Sequence, residues 1–204
     1  DLKVRFQRKS SSIFAPKRYL YAVDGVSFSV MQGQALAIVG ESGSGKTTTA
    51  LAIARLIKAY AGQVQLQELD LLDLAGDDLR QARRRFQFIF QDPYSSLNPR
   101  LRAADIVAEP LAAMAADAKQ AIVDELFQAV GLRPEQQRLF PHQFSGGQRQ
   151  RLGIARAMAP KPQLIICDEP VSALDVAVQA QVLNLLRELQ RQRGLTYLFF
   201  IHAL

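Results

Sequence analysis

The chain has 204 residues, 49% hydrophobic and 22% charged, an ordinary globular composition that suits one domain with a buried core and excludes disorder. Lys and Arg number 25 against 19 Asp and Glu, and the net +6 permits an acidic partner but is too diffuse to indicate nucleic acid. One cysteine, Cys167, excludes an intrachain disulfide framework, and His142 and His202 are too few to complete a Cys/His zinc set.

In chain order, Val26 to Val30 alternates apolar and polar as a half-buried strand does. Gly33 supplies a turn, Ala35 to Val39 is a buried apolar strand, and Thr48 to Leu56 reads as helix after a run of glycines. Val64 to Leu66 is a short strand, Asp77 to Arg85 a polar helix, and Phe86 to Phe90 an apolar run ending at Gln91. Between Pro93 and Phe144 no strand is evident; Ala103 to Ala116 and Lys119 to Val130 read as helices, with Gly131 as a stop. Leu164 to Cys167 has the continuous apolar character of a parallel strand covered on both faces. Val178, Val182, Leu185, Leu186 and Leu189 form a helical stripe capped by Asp175 and ended by Gly194, and Leu198 to Ile201 is the last strand. Strands alternating with helices imply a parallel α/β sheet, with a helical block set into it. No apolar run approaches the roughly 18 residues of a spanning helix. The chain opens Asp-Leu-Lys-Val, with neither initiator methionine nor signal pattern, and is expected to be a segment of a cytoplasmic protein.

Gly40-Glu41-Ser42-Gly43-Ser44-Gly45-Lys46-Thr47 fits the spacing of a phosphate-binding loop and lies between a strand and a helix. Its glycines let successive backbone N–H groups face phosphate oxygens, and the following helix adds its positive dipole end. Lys46 can reach the β- and γ-phosphates, the Thr47 hydroxyl can ligate Mg²⁺, and Thr48 continues the cradle. Asp168 and Glu169 end a strand, where α/β sheets place their ligands. Asp168 would orient Mg²⁺ or its waters, and Glu169 would polarise an attacking water.

Ser145 and Gln148 satisfy a helix capping box, but that does not explain Gly146 and Gly147, each costing about 1 kcal/mol against alanine inside a helix. A phosphate approaching the backbone there does explain them. One nucleotide does not need two helix-N-terminal sites in one chain. A head-to-tail dimer resolves this, each Ser145–Gln148 segment capping the nucleotide held by the other copy's loop.

With these motifs in order, the sequence resembles the nucleotide-binding domain of ABC transporters. Gly40 to Thr47 looks like the Walker A loop, Gln91 the Q-loop glutamine, Ser145 to Gln148 the signature, Leu164 to Asp168 the Walker B strand, Glu169 the catalytic glutamate, Ser172 to Asp175 the D-loop and His202 the switch histidine. The family's switch is Ser-His-Asp, whereas here it is Ile201-His202-Ala203. Gln91 to Pro99, Val171 to Val176 and Gln179 to Leu186 resemble more narrowly the ATPase subunits of dipeptide, oligopeptide and glutathione importers.

The resemblance implies a RecA-like P-loop core (1–91 and 153–204), an inserted helical signature subdomain (92–152), an N-terminal antiparallel β region and a C-terminally truncated chain. It implies ATP and Mg²⁺ as cofactors, Thr47, Gln91 and Asp168 around the metal, and Glu169, Gln91 and His202 in catalysis. Ser172 and Asp175 belong to the D-loop. Phe14, Tyr19 and Tyr21 are candidates for stacking on adenine, Phe14 foremost. The implied partners are a second ATPase domain, a membrane permease and, indirectly, a solute-binding protein, with no nucleic acid. The implied place is the cytoplasmic face of the membrane. The alternatives are a non-transport ABC ATPase, or a nucleotide-binding module with little hydrolysis. The arginines at 80 and 83–85 read as a solvated face, and Cys167 as core.

Overall fold

The chain begins as a ribbon of two antiparallel strands, β1 (Leu2–Gln7) and β2 (Tyr19–Val26), in the computed structural model, which describes residues 1–8 and 18–202. Leu2, Val4 and Val23 turn inward from it. The strand expected over residues 26–30 stops at Val26, because Val26 pairs with Leu2, where β1 begins, and nothing beyond it has a ladder partner.

The main sheet holds β3 (Ala35–Gly40), β8 (Thr196–His202), β7 (Leu164–Asp168) and β6 (Phe86–Ile89), in that order and all parallel. A two-residue hairpin, β4 (Gln65–Leu66) and β5 (Leu69–Asp70), lies apart from it. The helices are α1 (Lys46–Ile53), α2 (Gly76–Ala82), α3 (Pro93–Ser96), α4 (Ala103–Ala108), α5 (Ala116–Ala129), α6 (Gly146–Met158) and α7 (Val176–Arg193). The helix expected over residues 103–116 breaks after Ala108 into a 3₁₀ turn, Glu109–Leu111, because Pro110 cannot donate to the helical ladder. Between β6 and β7 the described residues contain helices and turns only.

All five residues of β7 are buried, Leu164 to Cys167 as their apolar run predicts and Asp168 with them. Alternation sends Ile166 to one face, with Val4, Ala50, Ile53, Phe86 and Phe200. Ile165 and Cys167 go to the other, with Leu152, Ile154 and Met158 of α6, Val182 and Leu186 of α7, and Ile106 and Phe127 of the helical block. Each fully buried Val, Leu, Ile, Phe or Met among them stabilises the fold by about 1.5–3 kcal/mol. β3 departs from expectation. It is one of the sheet's two outer strands, none of its residues is fully buried, and Val39 is 58% exposed. Among the described residues no strand pairs beyond β3, which leaves that edge open however apolar its sequence.

Candidate functional site

Because the sheet is parallel, its carboxyl ends gather on one side. Gly40 ends β3 in register with His202 at the end of β8, Asp168 ends β7, and Gln91 follows β6 by two residues. The candidates from four separate stretches of sequence therefore meet along one edge.

The loop after β3 is shaped by glycines. Gly43 and Gly45 have φ of +80° and +90°, and a Cβ on Gly45 would collide with the Ala22 carbonyl. Gly45 is also the N-cap of α1 and offers no side chain to the first-turn N–H groups, which an anion can use instead. Lys46 is buried, and its Nζ donates to the Gly40 and Glu41 carbonyls at 2.8 and 2.7 Å. Thr48 and Lys46 line an open cavity of about 260 Å³ with Tyr21, Gly43, Gly45 and Thr47, while Ser42 and Ser44 sit on the exposed crest.

Tyr21 is thus on the cavity wall. Tyr19 lies instead under the Arg5 guanidinium, 4.0 Å from its ring centre, and Arg5 also covers Tyr60 at 3.4 Å. Phe14 lies outside the described residues.

Thr47 Oγ1 donates to Asp168 Oδ1 at 3.2 Å, joining the loop to β7. Asp168 is buried, and that burial, with Glu169 beside it, raises its carboxyl above the ordinary carboxylate range, against the Thr47 bond and the Lys46 charge. A hydroxyl and a carboxylate offering two oxygens fit Mg²⁺, which takes one or two protein oxygens and completes its shell with phosphates and waters. Among the described residues no cluster of three or more His, Cys, Asp or Glu could hold a metal unaided.

Glu169 has φ +45°. Its N–H donates to the Phe200 carbonyl at 2.8 Å, and its own carbonyl accepts from the Ser172 N–H and hydroxyl at 3.2 and 3.1 Å. Its carboxylate accepts from Gln91 Nε2 at 2.9 Å, so Gln91 stands beside Glu169.

Ser145 caps α6 as expected. Its Oγ accepts from Gln148 N–H at 3.3 Å, and Gln148 Oε1 accepts from Ser145 N–H at 3.0 Å. Ser145 and Gly146 are exposed. Gly147 has a reason within its own chain, because a Cβ there would collide with Val178 of α7, and one on Gly146 would touch Leu174 at 3.4 Å. Asp175 caps α7 through the Val178 N–H at 2.9 Å.

Three further α6 side chains reach other elements, though only one is signalled by its sequence position. Arg149 lies 4.7 Å over Tyr94, Arg156 donates to the Ser96 carbonyl at 2.6 Å, and Gln150 donates to the Pro170 carbonyl at 2.6 Å. Gln150 carried a readable signal, as a polar residue on the Ile154–Met158 face of an otherwise apolar stripe.

A sequence model of the ABC transporter family matches residues 23–172. The chain belongs to that family. The oligopeptide transport ATP-binding proteins OppF of Salmonella typhimurium and Escherichia coli are each 49% identical to it over 210 residues. The chain spans 63% of the length of those two curated relatives, and all of it is aligned. The dipeptide transport ATP-binding protein DppF of Lactococcus lactis is 48% identical over 189 residues, 90% of this chain. Among solved structures, the dimeric ATP-binding cassette MJ0796 bound to ADP and Pi superposes with a TM-score of 0.83 at 31% identity, covering 100% of this chain and 88% of that one.

Proposed function

We propose that this ABC transporter domain binds and hydrolyses ATP as part of a peptide importer, working as a head-to-tail pair of ATPase domains. The observation that carries the reading is the Thr47–Asp168 bond. It sets a phosphate loop directly against a carboxylate strand end, with Glu169 and Gln91 paired at its side. Lys46 and the loop N–H groups neutralise the phosphates. Thr47 and Asp168 would hold Mg²⁺, with Gln91 adjoining, and the ion would supply positive charge against the phosphates. Glu169 orients and deprotonates the attacking water, Gln91 fixes the Glu169 carboxylate, and His202, in register with Gly40, faces the terminal phosphate. Tyr21, on the cavity wall, would pack on the base. Ser145 to Gln148 closes over the partner's nucleotide, with Ser172 and Asp175 shaping the adjoining turn. The peptide-transport names of the relatives and the dimeric, ADP-bound cassette support this reading.

A second open cavity, about 330 Å³, lies between sheet and helical block and is lined by Leu56, Phe88, Phe90, Pro110 and Arg156 among others. It supports seating of a permease segment near Gln91. Among the described residues no helix is long and apolar enough to cross a membrane. As the ATPase of an importer, the domain would be held through the permease, on the cytoplasmic face. A solute-binding protein would act through the permease.

The test pairs two variants. Glu169→Gln should lower phosphate release about 10²- to 10⁴-fold while leaving ATP bound and the dimer enriched by size-exclusion chromatography. Lys46→Ala should weaken ATP on the order of 10- to 100-fold in a binding titration, the worth of charge-assisted bonds. Near wild-type turnover in the first, or unchanged affinity in the second, refutes the assignment.

A further inference from the structure

We propose that Gln150 is a positioning residue for Glu169, its side-chain amide bracing the Pro170 carbonyl so that the strained turn holds the carboxylate where it meets water. The inference rests on the reading of Glu169 as the water-activating group.

Gln150 is 1% exposed, in the second turn of α6. A buried amide is kept only where its polar atoms have partners. Its Nε2 reaches across to β7's end and donates to the Pro170 carbonyl at 2.6 Å. Pro170 is buried, has no N–H to donate, and directly follows Glu169, so its carbonyl is the handle by which that turn can be gripped from outside.

The turn needs gripping. At φ +45°, Glu169 occupies the left-handed region that side-chain-bearing residues avoid, and such a conformation persists only when its surroundings over-determine it. Three supports converge. The Phe200 carbonyl holds the residue's N–H from β8, Ser172 holds its carbonyl from within the turn, and Gln150 holds the next peptide from α6. Relaxation of φ would swing the whole side chain away from Gln91 and from the site edge. A water-orienting carboxylate tolerates little displacement, an ångström costing about 100-fold in rate.

The brace has a consequence for the pair of domains. α6 begins with the segment proposed to grip the partner's nucleotide, and Gln150 follows Gly146 by four residues on the same rigid rod. A shift of α6 on engaging that nucleotide is therefore delivered to the peptide beside this chain's own Glu169.

The experiment is Gln150→Met in the intact protein, which removes the donor at nearly constant volume. Turnover number, KM for ATP, ATP affinity by titration and melting temperature are measured beside Glu169→Gln and the double variant. We expect the turnover number to fall about 10- to 100-fold with ATP affinity and KM within about twofold of wild type. In the Glu169→Gln background the substitution should cost nothing further, since the brace acts through that carboxylate. A turnover number unchanged by Gln150→Met overturns the proposal. So does a parallel loss of turnover, affinity and melting temperature, or an equal loss in the Glu169→Gln background, since either marks plain core support. If Gln150→Met does not fold, Gln150→Glu, isosteric with the amide but lacking its NH₂, is read by the same criteria. An active Glu169→Gln refutes the parent reading; an inactive one beside an unaffected Gln150→Met refutes only this inference.

Discussion

Replacing Gly147 with alanine separates two explanations of the same glycine. Helix propensity alone predicts a gain, up to about 1 kcal/mol in a helix interior and less at this second helical position. Packing predicts a loss. A Cβ at residue 147 would stand under 3.0 Å from Val178 Cγ1, with Val178 Cβ and Cγ2 at 3.7 and 3.8 Å. Carbon atoms in contact prefer about 3.5–4.0 Å, so one methyl must move. Valine in a helix has one strongly preferred rotamer, and turning it away costs about 0.5–1.5 kcal/mol. Moving the backbone instead strains the first turn of α7, which Asp175 pins through the Val178 N–H. Overpacking of this kind costs about 1–3 kcal/mol, so the net effect should be about 1–2 kcal/mol of destabilisation, lowering the melting temperature by about 2–8 °C. Urea and thermal unfolding of Gly147→Ala, Val178→Ala and the double variant measure it. The alanine should cost nothing extra once the offending methyl is gone, giving a coupling energy of about 1–2 kcal/mol. A single variant as stable as wild type, or an equal loss with and without Val178, refutes the packing account. Hydrolysis by the double variant then completes the partition. Recovery assigns the glycine to packing alone, and continued inactivity in a stable protein assigns it also to close approach of the partner's phosphate.

Gly45→Ala should abolish tight ATP binding in a titration, because the +90° φ costs an alanine about 1–2 kcal/mol and the blocking Ala22 carbonyl is backbone that cannot step aside; wild-type affinity would refute this. The Gln137 amide, then that of Gln120, holds the Asp124 carboxyl below its ordinary value, so the stability it contributes is present at neutral pH and is lost as pH falls through that lowered value. Asp124→Asn should accordingly unfold more easily than wild type at neutral pH and converge with it in acid, once pH has fallen below the ordinary carboxylate range, and a gap independent of pH in urea titrations would refute the linkage.

What the sequence discloses here is what local chemistry decides. Ser145 and Asp175 cap their helices, and Gly131 and Gly194 end theirs at φ +72° and +64°, because each choice is settled within a few residues. The phosphate loop is readable for the same reason, its glycines, Lys46 and Thr47 being consecutive. Sheet order is not local. Nothing in Ala35 to Val39 says that the strand will have a single neighbour, so its apolar run reads as fully covered when Val39 is open on one side. Nor does the alternation of Val26 to Val30 reveal that its ladder partner runs out at Leu2. Gly147 shows the same divide within the site. The glycine is visible in the sequence, but its neighbour Val178 lies on another helix and only packing brings it near. Pro110 was a local signal, and it breaks the helix where proline chemistry says it should.

The site is built from parts anchored in different ways. Lys46, Thr47 and Asp168 belong to strand ends and the helix start beside them, and their positions follow from the sheet. The stretch after Gln91 is tied to α6. Arg149 lies over Tyr94 and Arg156 holds the Ser96 carbonyl, seven residues apart and therefore on one face of that helix. Asp92 stiffens the stretch between by capping α3 through the Tyr94 and Ser95 N–H groups. Gln91 itself reaches back to Glu169. The Gln91–Glu169 pair thus sits where two bodies meet, with β6, β7 and β8 fixing the two backbones and α6 touching the stretch after each residue, at Tyr94 and Ser96 and at Pro170. Its 2.9 Å bond is exposed to relative motion of α6 and the sheet from both sides. The phosphate cradle, held entirely by the sheet side, would keep its geometry through the same motion. Binding and turnover should therefore respond differently to substitutions on the arginine face of α6.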